Sequence, residues 1–113
     1  MHEMAISESI IGILEAEAAR QKYARVKKVW LEIGPLAGIE TEALKFTFDV
    51  VTRGTLAEHA ELEIVATEAC GYCLMCAKNV VISQRFAPCP DCGGHQVQMT
   101  SGDEMRIKEL EVE

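Results

Sequence analysis

The sequence predicts an α+β fold: a small sheet with two helices, carrying an inserted zinc-ribbon-like lobe built on four cysteines. Three observations point there. Two CxxC pairs, Cys73-Leu-Met-Cys76 and Cys89-Pro-Asp-Cys92, are separated by twelve residues. Segments of helical and then strand periodicity precede them. An alternating apolar segment follows them, and a terminal strand of that kind needs a partner among the strands before the cysteines.

The first element runs from about 4 to 22, where Ile6, Ile10, Ile13, Leu14 and Ala18 recur at helical spacing among Glu8, Glu15, Glu17 and Arg20. Val29, Leu31 and Ile33 then alternate with Lys28, Trp30 and Glu32, a strand that ends at Gly34-Pro35. Thr41 suits the N-cap of a second helix through about Thr52, with Leu44, Phe48 and Val51 on one face and Gly54 as its stop. Leu62 and Ile64 alternate with Glu61, Glu63 and Val65 as a second strand. The cysteine lobe follows over 69–97, with a short ribbon strand at Val80-Val81-Ile82. The tail from Met105 alternates again, although Glu109-Leu110 slips the register and suggests a bulge. Residues 1–68 and 98–113 thus form one α+β domain, interrupted by the lobe.

Thiolates at i and i+3 on a tight turn face one ion, and two such turns close a tetrahedral shell of four cysteines. Pro90 and the Gly93-Gly94 pair suit the sharp turns required. Cys70 offers a competing spacing, so the first pair is 70/73 or 73/76. The second choice, with Cys73, Cys76, Cys89 and Cys92 as zinc ligands, is more compact and leaves Cys70 a spare thiol. His95 is a weaker substitute ligand, and His59 falls in a polar loop.

Composition narrows the function classes. With 113 residues, 49% of them hydrophobic and 26% charged, the chain is a folded globular protein that fits one compact domain, or one small domain plus a zinc-stapled lobe. A net charge of −7 argues against a nucleic-acid partner. Arg20, Lys22, Arg25, Lys27 and Lys28 gather near the end of the first helix, as solvated capping charge or as a docking patch for an acidic partner. There is no signal peptide and no run of ~18 apolar residues, which points away from a membrane. Metal-spaced cysteines fit a reducing, cytoplasmic setting. No nucleophile–base pairing and no phosphate loop is visible, so a carrier rather than an enzyme is expected.

The N-terminus, Met1-His2-Glu3, offers a second kind of site. The terminal amine, the deprotonated His2 amide and the His2 Nδ1 bind one ion in a plane, a field suited to Ni(II) or Cu(II) rather than tetrahedral Zn(II). A bulky second residue keeps the initiator Met in place, and Glu3 adds a carboxylate. Glu40 reads either as a helix N-terminal acid that favours the macrodipole or as a loop carboxylate within reach of those ligands.

Met1-His2-Glu3, the segment Val29-Trp-Leu-Glu-Ile-Gly34, the CxxC and CPxC pairs, and the tail from Glu104 to Glu113 together resemble the HypA/HybF family of hydrogenase-maturation nickel metallochaperones. The resemblance spans the chain in order. It implies a nickel-binding α+β domain over 1–68 and 98–113 and a zinc lobe over 69–97. Nickel ligands fall on Met1, His2 and Glu3, with Glu40 where some members carry an acid, and zinc ligands fall on Cys73, Cys76, Cys89 and Cys92. It also implies Zn2+ as structural cofactor and Ni2+ as cargo. The implied partners are the nickel maturation GTPase HypB and the large subunit of a nickel–iron hydrogenase, with room for a homodimer. Histidines that some members carry next to the CxxC pairs are replaced here by Ala77 and Gly93. The rival reading is a zinc-ribbon interaction adaptor that binds no nickel. A dithiol redox protein is weaker, because such proteins need one exposed pair rather than two at zinc spacing.

Overall fold

Apolar residues at helical spacing draw the first nineteen described positions into helix α1, Glu3–Gln21, in the computed structural model, which describes residues 3–113. Ser7, Ile10, Ile11 and Leu14 form its buried stripe. Ile13 was expected on that stripe and is instead half exposed, while Ile11 takes the inward place. Three branched residues within four positions cannot share one helical face, and the i, i+3, i+4, i+7 set from Ser7 selects Ile10, Ile11 and Leu14. The helix stops at Lys22, which takes a left-handed conformation (φ 59°) and donates its N–H to the Ala18 carbonyl at 2.8 Å.

Strand β1, Val26–Ile33, buries Val26, Val29, Leu31 and Ile33. Helix α2, Thr41–Val51, buries Leu44 and Phe48 and closes on Thr52, whose N–H bonds the Phe48 carbonyl at 3.1 Å. Its N-cap is Glu40 rather than the expected Thr41. The Glu40 carboxylate accepts the Glu42 N–H at 2.8 Å from an extended backbone (φ −83°, ψ 109°). A carboxylate there also meets the positive end of the helix dipole. Strands β2 (Glu61–Ala66), β3 (Ala69–Cys73), β4 (Lys78–Ile82), β5 (Val97–Ser101) and β6 (Met105–Val112) follow.

The strands make two three-stranded sheets, in the orders β2-β1-β6 and β4-β3-β5. The C-terminal strand therefore does return to pair with β1, and β3 to β5 lie between β2 and β6 in the chain. Exposure along β6 alternates as far as Lys108 and then breaks, with Lys108 and Glu109 both exposed, where the sequence slips register. Strands β3 and β5 were not expected. The inward positions of β3 are Ala69, Gly71 and Cys73, too small to read as an apolar alternation.

The chain divides into two units. Met1–Leu31, Ile39–Ile64 and Ile107–Glu113 form the first, and Glu32–Gly38 with Val65–Arg106 the second. Within the second, the backbone at Gly34 lies so close to Gly102 that a Cβ on Gly34 would collide with the Gly102 carbonyl. Gly102 itself has φ 125°, and its own Cβ position lies 2.5 Å from Ala69 Cβ. Glu104 fastens this crossing. One carboxylate oxygen accepts the Gly102 N–H at 2.7 Å and the other the Thr67 hydroxyl at 3.1 Å, while its carbonyl accepts the Gly34 N–H at 2.9 Å. The Gly102 N–H, followed by lesser donors, holds the Glu104 carboxyl below the usual carboxylate range.

Two outcomes are expected. Gly34→Ala forces backbone apart at a contact without slack and should cost about 2 kcal/mol or more in denaturant unfolding. A carboxylate with a depressed folded-state pKa contributes stability above its unfolded value and loses it as pH falls. The melting temperature of Glu104→Gln should therefore lie below wild type near neutral pH and converge on it as the solution is acidified through the carboxylate range.

Candidate metal centres

Strand β3 ends at the buried Cys73, paired with Lys78 of β4, so the hairpin loop between them is the first cysteine turn. Its backbone reverses at Ala77, in the left-handed region (φ 53°), and Leu74 donates its N–H to the Gln96 carbonyl at 2.9 Å. The second turn repeats the design. Gly93 follows Cys92 as Ala77 follows Cys76, again left-handed (φ 72°), and its N–H reaches the Cys89 carbonyl at 2.8 Å. The Cys89 N–H in turn bonds the Gly94 carbonyl at 2.8 Å. Backbone N–H groups point at sulfur in both turns: Cys76 N–H to Cys73 Sγ and Asp91 N–H to Cys89 Sγ, each at 3.4 Å.

Cys73, Cys76, Cys89 and Cys92 converge, all four Sγ atoms lying within 4.8 Å of one another. Cys73 to Cys92 is 3.7 Å and Cys76 to Cys89 is 3.9 Å. A tetrahedral zinc site with Zn–S bonds of ~2.3 Å has S–S edges of about 3.8 Å, so the donor set fits Zn(II). Cys70 lies outside the cluster. It stands three residues before Cys73 on the same strand, and side chains three apart on a strand face opposite sides. The pair 73/76 escapes that rule because its second member lies on the turn. His95 is exposed and also outside the cluster, and His59 is exposed ahead of β2.

The thiols differ in acidity. Cys89 is pulled down to about 7, chiefly by the Cys92 backbone N–H, with the Asp91 N–H adding to it against the opposing effect of burial. Cys76 is pushed up to about 12 by its hydrogen bonds to Cys92 and Cys73 and by burial. A cation at the centre of the four sulfurs reverses this penalty, because it makes the crowded negative charge favourable.

At the other predicted site, Met1 and His2 lie outside the described residues. Glu3 opens α1, and its carboxylate Oε2 accepts the Glu40 backbone N–H at 3.3 Å. Residues 37 positions apart are thus side by side at the N-terminal ends of α1 and α2. Glu40 caps α2 through its side chain, the first of its two readings, and its backbone N–H meets the Glu3 carboxylate. Ser7 and Thr47, which sequence reasoning missed, also join the helices here. Their hydroxyls lie 2.9 Å apart, and Thr47 Oγ1 stands 3.3 Å from the Glu3 carbonyl. A lone serine on an apolar helix stripe was the available signal.

The basic residues near the end of α1 are largely engaged. Arg20 pairs with Glu17 at 2.5 Å, and Lys28 with Glu61 at 3.0 Å and Glu63 at 3.2 Å. No helix among the described residues is long and apolar enough to cross a membrane.

Fold and centre together define a small α+β metal-binding protein with a zinc-ribbon-like module. Comparison with known proteins narrows the class. Residues 1–112 match the family described as "Hydrogenase/urease nickel incorporation, metallochaperone, hypA", and the chain belongs to that family. The hydrogenase maturation factor HypA of Azotobacter chroococcum is 57% identical over 113 residues, covering 100% of both chains. That of Rhodopseudomonas palustris strain BisA53 is 52% identical over the same span. The fold matches the solution structure of the Ni metallochaperone HypA from Helicobacter pylori, with a TM-score of 0.72 at 24% identity over 99% of this chain and 97% of that one.

Zinc uptake by the metal-free protein at pH 7 should release at least one proton per ion, since Cys76 keeps its proton until a cation displaces it. Titration calorimetry in buffers of different ionisation enthalpy measures this. Cys70→Ser should retain zinc as purified, whereas Cys73→Ser should lose it and unfold the lobe.

Proposed function

We propose that this chain is a nickel carrier with two metal centres of opposite character. The Met1 amine, the His2 amide and imidazole, and Glu3 take Ni(II), with Glu40 beside them, in the domain formed by 1–68 and 98–113. Cys73, Cys76, Cys89 and Cys92 hold a structural Zn(II) in the lobe over 69–97. The observation that carries this reading is the Glu40 N–H donating to Glu3 Oε2 at 3.3 Å. It fastens the residue that follows His2 to α2, so the chain's first residues start from a held point and a second carboxylate stands next to it.

Zinc supplies cross-linking energy when bound and no chemistry on the cargo. Nickel is cargo. A terminal chelate of few ligands is open to attack by incoming donors, so the ion leaves by ligand exchange without the fold opening. Family membership and the nitrogen-rich donor set support delivery of nickel during nickel–iron hydrogenase maturation. The maturation GTPase HypB and the hydrogenase large subunit are the fitting partners. The work is carriage rather than catalysis, in the cytoplasm, and a homodimer is compatible with it.

Metal analysis as purified, followed by Ni(II) titration of wild type and His2→Ala, tests the reading. One zinc per chain in both proteins and nickel binding lost in His2→Ala is the expected result. Nickel affinity indifferent to His2 would overturn it and leave a zinc-ribbon adaptor. The amine, with an ordinary pKa of about 7.7–8.0, and the imidazole, about 6.5, must both be free of protons to bind. Affinity should therefore fall roughly tenfold or more from pH 7.5 to pH 6, measured by competition with a metal-binding dye.

A further inference from the structure

We propose that Ser7 and Thr47 are positioning residues for the N-terminal nickel site, a hydroxyl relay that fixes the first turn of α1 against α2. The inference rests on the nickel reading above. Ser7 is fully buried, and its Oγ lies 2.9 Å from Thr47 Oγ1. Thr47 has two carbonyl acceptors, Leu44 O one turn back in its own helix at 3.1 Å and Glu3 O at 3.3 Å. The arrangement that uses both hydroxyl protons has Ser7 donating to Thr47 Oγ1 and Thr47 donating to the carbonyls.

The consequence lies in what is held. Glu3 is gripped at its backbone carbonyl by Thr47 and at its carboxylate by the Glu40 N–H. The first grip comes from within α2 and the second from its N-cap. Two points of attachment on one residue fix its orientation as well as its place, and Glu3 is the residue directly after His2. A chelate assembled from the chain terminus must immobilise that terminus, and ordering a free residue costs conformational entropy. Holding Glu3 in advance removes part of that cost from nickel binding, the same preorganisation that raises affinity elsewhere without new ligands. Among the described residues of α1, Ser7 is the only buried polar side chain. Alanine would satisfy packing there, so a hydroxyl aimed at Thr47 needs a further reason, and the held carbonyl supplies one.

The test separates positioning from stability. Thr47→Val removes the donor and strands the Ser7 hydroxyl, so it weakens both fold and nickel binding. Ser7→Ala with Thr47→Val removes both hydroxyls together, which costs less than stranding one of them, while the Glu3 carbonyl stays released. Wild type, Thr47→Ser, Thr47→Val, the double variant and His2→Ala would each be melted, assayed for zinc and titrated with Ni(II). The double variant is expected to melt near wild type, retain zinc and bind nickel roughly two- to fivefold more weakly, the effect of about one modest hydrogen bond. Thr47→Ser should restore wild-type affinity. A double variant with wild-type nickel affinity would overturn the proposal while a defective His2→Ala still upheld the carrier reading. Equal affinity in wild type and His2→Ala would sink both. If the double variant did not fold, Thr47→Val against Thr47→Ser decides: equal nickel affinity in these two refutes a role for the hydroxyl geometry.

Discussion

Closure of four thiolates around one point is the constraint on which the second unit depends. Its buried core consists of Ala69, Cys73, Val80, Ile82, Ala87 and Cys89, with Leu36, Cys76, Val97 and Met99 packed against it. Two of the six buried members are themselves ligating cysteines, and two more are alanines. Fully burying a large aliphatic side chain contributes about 1.5–3 kcal/mol, and Val80 and Ile82 are the only such residues in that set. Ordering a β-ribbon of this length costs far more than they return. The cross-link at the sulfurs makes up the difference, which explains why both turns accept a left-handed residue after the second cysteine. Gly93 does so without strain. Ala77 does so against the steric preference of its Cβ, a cost the metal centre offsets.

The same closure accounts for the two glycines that meet at the other end of the unit. With so little side-chain core, backbone-to-backbone packing takes its place, and Gly34 against Gly102 is packing of that kind. Glu104 then satisfies the donors such an approach leaves behind, one carboxylate oxygen for each of two partners. The register of β3 against β5 shifts between Cys70 and Gly71, opposite Ser101 and Met99, which leaves Thr100 as the extra residue of a bulge close to Gly102.

Much of this was legible in the sequence, and what was missed has a common cause. The cysteine pairs were readable because ligand spacing is a local property. Helix α1, β1, α2, β2 and β6 were readable because each carries the period of its own structure over enough residues. The α1 stripe was misread by one residue because Ile10, Ile11 and Ile13 all favour burial and only the packed neighbour decides. Glu40 displaced Thr41 as N-cap because a side chain one residue earlier reached the Glu42 N–H. Strands β3 and β5 were invisible because β3 turns small residues inward, where alternation carries no apolar contrast. The meeting of Glu3 with Glu40 and of Ser7 with Thr47 spans some forty positions, and no local pattern encodes it.

In the proposed reading, the N-terminus and the cysteine lobe solve opposite problems with metal chemistry. A structural ion must not leave, so its ligands come from two turns whose backbones are hydrogen-bonded on both sides, and three of the four sulfurs belong to buried or half-buried residues. A transported ion must leave, so its ligands belong on a chain terminus that an acceptor can approach. A wholly unconstrained terminus would bind weakly, because every ligand would have to be ordered at once. In the proposed reading, α2 resolves that conflict. It holds Glu3, itself one of the proposed ligands, at two points, so the ordering cost is partly met by the fold while the route for ligand exchange stays open. The tightness of the nickel site is then set by how firmly one helix holds the first turn of another, a quantity that the Ser7 and Thr47 hydroxyls tune without themselves binding the ion.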